Sequence, residues 1–151
     1  MVTVKSPDQS NELAGKAAIV TGSARNIGRA IACDLAAGGA AVLINGRTSK
    51  AEADAVAADI NSAGGRATVF MGDIGVPDIA QAMVDHAVSE FGRLDFLVNN
   101  VSQRGECPLS DMSFDLWKTV LSGTLDTAFL CTKAALPHLR KSGAASIVNM
   151  G

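Results

Sequence analysis

Short apolar runs alternate along this chain with longer stretches whose apolar residues recur every three or four positions. Five runs read as strands, at 16–21, 40–45, 67–71, 94–99 and 145–150. Each is apolar enough to be buried on both faces of a sheet. Helical patterns fill the intervals. The first covers 26–37 and stops at Gly38-Gly39; the second follows Thr48-Ser49, is rich in alanine and stops at Gly64-Gly65. The third begins at Pro77, a good first helical residue, and sets Ile79, Met83, Ala87 and Phe91 on one face. The fourth starts at Ser113, a suitable cap, and runs to about Leu139, with Pro137 bending its last turn. Unbroken β-α alternation predicts an α/β fold: a doubly wound parallel sheet, Rossmann-like, in the strand order 3-2-1-4-5. Residues 1–13 read as a flexible leader and 14–151 as the dinucleotide-binding half of a single Rossmann-like domain.

Composition narrows the function classes. With 48% hydrophobic residues in 151, burying a core is easy and disorder is not expected. A net charge of -2 gives no electrostatic case for nucleic acid or for an anionic membrane. No apolar run is long enough to span a bilayer and the first residues are polar, so the reading places the protein in the cytoplasm. Cys33, Cys107 and Cys131 form no C-x-x-C, and His86 and His138 lack ligand spacing. No metal is expected. The cysteines read as two buried helix thiols, Cys33 and Cys131, and one loop thiol, Cys107.

The candidate chemistry lies where the strands end, because ligands of such sheets bind beyond the carboxyl ends. Strand one runs into Thr21-Gly22-Ser23-Ala24-Arg25-Asn26-Ile27-Gly28 and then a helix, the layout that sets a helix N-terminus against a phosphate. Gly22 lets the backbone approach a pyrophosphate, and Gly28 leaves room where the helix packs. Strand two ends at Asn45-Gly46-Arg47-Thr48, strand three at Gly72-Asp73-Ile74 and strand four at Asn99-Asn100. An NAD site places a carboxylate at the end of strand two for the ribose 2′-hydroxyl; here Arg47 stands there, with Arg25 in the glycine turn. Two guanidiniums suit a 2′-phosphate, so the cofactor reads as NADP.

These residues resemble the short-chain dehydrogenase/reductase family, of the 3-oxoacyl-carrier-protein reductase type. The turn is similar to that family's T-G-x-x-x-G-x-G with Asn26 in the middle glycine's place; Asn is the side chain that best tolerates a left-handed backbone. Asp73-Ile74 match the family's adenine-contacting pair, and Asn99-Asn100-Val101-Ser102 resembles N-N-A-G, with Val101 bulkier than the family's Ala. The nucleotide-binding set is then Gly22, Ser23, Arg25, Asn26, Ile27, Gly28, Arg47, Thr48, Asp73, Ile74, Asn99 and Val101. The resemblance implies hydride transfer between nicotinamide and a carbonyl or alcohol, a 3-oxoacyl thioester or small ketone, and a homo-oligomer (dimer or tetramer) paired through the fourth helix. It also implies a catalytic Ser, Tyr and Lys. The Ser is expected just past Gly151, there is no tyrosine in the 151 residues, and further C-terminal strands and helices are expected. Thr124 stands where the family has a site Asn. It could hold a water, or be a helix residue that only packs. The chain therefore reads as part of a longer enzyme; the other function class is an NADP-binding module without catalysis, regulatory or for assembly. A nucleotide-free interaction domain would leave the strand ends unexplained.

Overall fold

The structure, a computed structural model, describes residues 11–150. Five parallel strands, β1 (Ala17–Val20), β2 (Ala41–Gly46), β3 (Arg66–Met71), β4 (Phe96–Asn99) and β5 (Ser146–Asn149), form one sheet in the order β3-β2-β1-β4-β5, the expected one. The helices are α1 (Asn26–Ala37), α2 (Lys50–Ser62), α3 (Pro77–Phe91), α4 (Phe114–Leu121) and α5 (Thr127–Ser142).

Alternate side chains of a strand point to opposite faces, and this sorts the core into two layers. Ala18, Val20, Val42 and Ile44 pack with Ala32 and Ala36 of α1 and with Ala53, Val56 and Ile60 of α2. Ile19, Leu43 and Leu97 pack on the other face with Met83, Val84 and Ala87 of α3 and Cys131, Ala135 and Leu139 of α5. Alanine at the contact positions lets the helices lie close on the sheet.

Four expectations need correction. The two edge strands are not buried on both faces: all four residues of β5 are exposed, because no described helix covers it, and β3 at the other edge has no fully buried residue. The fourth helix is not continuous, since a one-turn π-helix, Ser122–Asp126, separates α4 from α5. The hydroxyl of buried Thr127 donates to the carbonyls of Gly123 and Thr124 there, carbonyls that a widened turn leaves under-used. Pro137 lies inside α5, which continues to Ser142 and closes on left-handed Gly143. Residues 11–13, expected in a flexible leader, have a defined structure. Asn11–Leu13 form a 3-10 turn, the Leu13 N–H donates to the Gly38 carbonyl, and Leu13 packs on the core; residues 1–10 lie outside the described residues. Cys33 is half-buried rather than buried, and burial pushes its thiol up. Cys131 is buried, its thiol pushed up to about 12, so it is inert packing.

The amino rim of the sheet is tied by one carboxylate. Asp95 is fully buried; it accepts from the Ala17 N–H at 2.9 Å, from Arg93 Nε and Nη2 at 2.7 Å each, and from Ser142 Oγ. Its own carbonyl accepts from Ser146 N–H of β5. Burial pushes the carboxyl up, but the bonds from Arg93, Ser142 and Ala17 outweigh it and hold Asp95 well below the usual carboxylate range. A depressed folded pKa means the stabilisation is present in full above the unfolded value, near 4, and is lost as pH falls from there towards the folded pKa. Asp95→Asn should lower stability at pH 7 by about 2–3 kcal/mol, the worth of charge-assisted bonds. The deficit should hold down to about pH 4 and shrink only on further acidification, in urea titrations of both proteins.

Candidate functional site

Because every strand pair is parallel, the carboxyl ends of the strands share one rim. Those of β1 to β4 open onto a cleft of about 1030 Å³. The turn after β1 is its floor. Gly22 has φ 61° and Asn26 φ 51°, and Asn26 is the one non-glycine residue with positive φ among the described residues. The left-handed backbone expected there is present, and Asn meets it. A side chain at Gly28 would strike the Gly22 carbonyl and come within 2.6 Å of Asn100 Nδ2. The start of α1 thus lies directly against the turn.

Two polar residues of the neighbouring strands, and Thr21 at the end of β1, hold that turn. Asn45 Oδ1 accepts from the Gly22 N–H at 3.2 Å, while Asn100 Nδ2 donates to the carbonyls of Thr21 and Gly22 at 3.0 and 3.3 Å. The Thr21 hydroxyl accepts from the N–H groups of Asn100 and Val101 at 2.9 and 3.1 Å. All three stand at or beside the ends of apolar runs; a polar residue in such a place was the available signal, yet none of the three was among the expected nucleotide contacts.

The helix above the turn begins unsatisfied. Its cap residue Arg25 makes no side-chain hydrogen bond and its first turn has no acid. By contrast α2 and α3 carry Glu52 and Asp78 in their first turns, and Ser113 caps α4 by accepting from the Leu116 N–H at 3.1 Å. The free N–H groups of α1 and its positive end therefore face the cleft.

Of the expected contacts, Gly22, Arg25, Asn26, Ile27, Gly28, Arg47, Thr48, Asp73, Ile74 and Val101 all line the cleft. Two do not. Ser23 is fully buried; its hydroxyl donates to the Val20 carbonyl at 2.7 Å and accepts from the Asn45 N–H at 3.0 Å, so it joins β1 to β2. Asn99 is buried under the rim, and its Nδ2 donates to Thr132 Oγ1 at 3.2 Å and Asn149 Oδ1 at 2.8 Å. Arg47 Nη1 lies 3.7 Å from Asp73 Oδ2, an exposed ion pair across the cleft mouth. Thr124 is not among the lining residues. Its hydroxyl accepts from the Gln103 N–H at 3.0 Å and donates to the Gln103 carbonyl at 3.4 Å, which spends its hydrogen on the loop and favours the packing role over that of holding a water.

A smaller hollow of about 530 Å³ is lined by Cys33, Ile60 and Arg66 at the opposite rim, where no strand delivers its carboxyl end. Among the described residues no group of His, Cys, Asp and Glu could hold a metal ion, and no helix is long and apolar enough to cross a membrane.

Residues 16–151 match the family model described as short chain dehydrogenase. The chain is 39% identical over 140 residues to an uncharacterised oxidoreductase of Methylorubrum extorquens, covering 93% of this chain and 56% of that protein. It is 35% identical over 138 residues to a 3-oxoacyl-[acyl-carrier-protein] reductase of a Synechocystis species, covering 91% and 56%. Among solved structures, a short chain dehydrogenase from Burkholderia cenocepacia in complex with NADP superposes with TM-score 0.80 at 38% identity, over 85% of this chain and 52% of that one. A dehydrogenase/reductase from Sinorhizobium meliloti gives TM-score 0.83 at 34% identity, over 87% and 52%. The chain spans about half the length of the curated relatives it matches. It belongs to the short-chain dehydrogenase family.

The backbone at Asn26 sets a clear expectation. Asn26→Gly should leave the urea midpoint nearly unchanged, whereas Asn26→Val should cost about 1–2 kcal/mol, the strain of a left-handed residue with a branched side chain.

Proposed function

We propose that this chain is the nucleotide-binding half of an NADP-dependent oxidoreductase. It would move a hydride between nicotinamide and a carbonyl or alcohol substrate, a 3-oxoacyl thioester or small ketone in class. The observation that carries the reading is the open start of α1 above the Gly22 turn, at the carboxyl ends of the strands. The residues fit a dinucleotide. The N–H groups at the start of α1 would take the pyrophosphate, Asp73 and Ile74 the adenine, and Arg25 and Arg47 the 2′-phosphate. Such a phosphate would compete with Asp73 for Arg47; an exposed pair is worth about 0–1 kcal/mol, less than a charge-assisted bond to phosphate. Bound NADPH supplies the hydride. The alkoxide so formed needs a proton, and no tyrosine stands among the 151 residues to give it. The partner in this reading is a small-molecule substrate, and the compartment is the cytoplasm.

A module that binds NADP without catalysis is the second reading. It is favoured by Thr124, whose hydroxyl is spent on Gln103. Oxidation of NADPH by the whole protein on a panel of ketones and 3-oxo thioesters separates the two. Turnover supports the enzyme; binding without turnover on a broad panel supports the module.

The cofactor choice has its own test. Arg47→Asp should weaken NADP binding by about tenfold or more and shift preference toward NAD, since it removes an attraction and adds a repulsion. Equal NADP affinity in the two proteins would refute the assignment.

The same reading proposes a homo-oligomer. Phe114, Trp117, Leu121, Leu125 and Phe129 of α4, the π turn and α5 are exposed at spacings of three and four residues, more apolar surface than a free helix pair carries. Trp117→Glu should shift the sedimentation coefficient of the folded protein toward the monomer.

A further inference from the structure

We propose that Arg104 recognises an oxyanion, a carboxylate or phosphate, carried by the carbonyl substrate, and that a latch between Gln103 and Thr124 positions it. The proposal deepens, and rests on, the reading of the cleft as a nicotinamide and carbonyl site. Arg25, Arg47, Asp73 and Arg104 are the charged side chains lining the cleft, and Asp73 is already paired with Arg47. None of the ion pairs among the described residues includes Arg104. Arg25 and Arg47 stand at the β1 and β2 ends, where the nucleotide's phosphates have their donors. Arg104 stands on the far side, in the loop that leaves β4 and runs to α4. The cleft thus holds a cation beyond those that a dinucleotide uses.

That loop is pinned on both sides of Arg104. Both backbone groups of Gln103 bond to the Thr124 hydroxyl, and the Gln103 side chain lies over Gly123, where a Cβ would sit 2.6 Å from Gln103 Cβ. At Gly105 a Cβ would meet Val120 at 2.9 Å and Leu116 at 3.1 Å. The π turn brings Thr124 and Gly123 to this loop. A fixed backbone with a planar, always-charged guanidinium between its two anchors suits bidentate recognition of an oxyanion.

The test uses the whole protein loaded with NADPH and reads ligand binding by reduced-nicotinamide fluorescence. The probes are acetoacetate against its ethyl ester, and dihydroxyacetone phosphate against dihydroxyacetone. At least one anion should bind about tenfold tighter than its neutral partner, and the pair that shows this identifies carboxylate or phosphate. Arg104→Ala should abolish the preference and Arg104→Lys should retain part of it. Thr124→Val should weaken it and Thr124→Ser should restore it, all with NADPH affinity unchanged. Three results would overturn the proposal: no preference in the wild type, a preference that survives Arg104→Ala, or NADPH affinity that falls in step with it. A wild type that does not bind NADPH would instead defeat the cofactor reading beneath it.

Discussion

The hold of two flanking strands on one turn is the constraint from which the site follows. Between Thr21 and Gly28 the chain leaves a strand, reverses through two left-handed residues and starts a helix. Such a segment has few apolar contacts with which to fix itself. Its backbone groups are instead bonded by Asn45, 23 residues away, and by Asn100, 78 residues away. Those partners are in place only because β2 and β4 flank β1 in parallel register. Topology therefore does local work: the sheet order brings two amides to the turn, and the turn aims the open end of α1 into the cleft. Polar groups that are paired in this way specify one geometry more sharply than apolar packing would.

The two rims of the sheet use charge in opposite ways. At the amino rim Asp95 is buried and its oxygens are committed to Arg93, Ser142 and the Ala17 backbone, with Lys16 at 3.6 Å. Its charge is consumed in holding the starts of β1 and β4 and the end of α5 together. At the carboxyl rim the cations are exposed, and Asp73 is the one acid lining the cleft. A dry, satisfied rim and a wet, positively biased one are what a fold needs if it is to be stable and still attract an anionic ligand.

Much of the fold was legible because two periods are written plainly in the chain. Strands of four to six residues with apolar side chains on both faces cannot be half-exposed antiparallel strands, and the helices between them force parallel crossovers. Where legibility failed, context outweighed pattern. Ile147 and Val148 read as buried strand residues, but burial belongs to the neighbours, and β5 has a neighbour on one side only. The π turn was invisible because Ser122–Asp126 keep helical character, and one extra residue per turn leaves no mark on composition. Ser23 and Asn99 lie beneath the rim rather than on it for a different reason. Motif position says that a residue is near a ligand, whereas whether its side chain faces the cleft or braces the backbone beneath is decided by hydrogen bonds that only the assembled strands provide.

Val101 illustrates how such a site absorbs a substitution. It stands where the family resemblance leads one to expect alanine, against the turn that must admit a nucleotide. Its Cγ2 is the nearest atom to the place a Cβ would occupy on Gly22, at 3.0 Å, and it packs at the margin of the lower core layer with Ile19 and Leu43. The extra methyls are accommodated by the absence of a side chain opposite. Gly22 is thus constrained twice, by its left-handed φ and by the valine across from it. An alanine at 22 would have to accept backbone strain and displace Val101 together. Replacing Val101 with alanine would relax one of those two constraints and leave the other. Glycine at this turn is therefore a joint property of the β1 and β4 ends, and the same pairing sets how closely the cleft floor admits a phosphate.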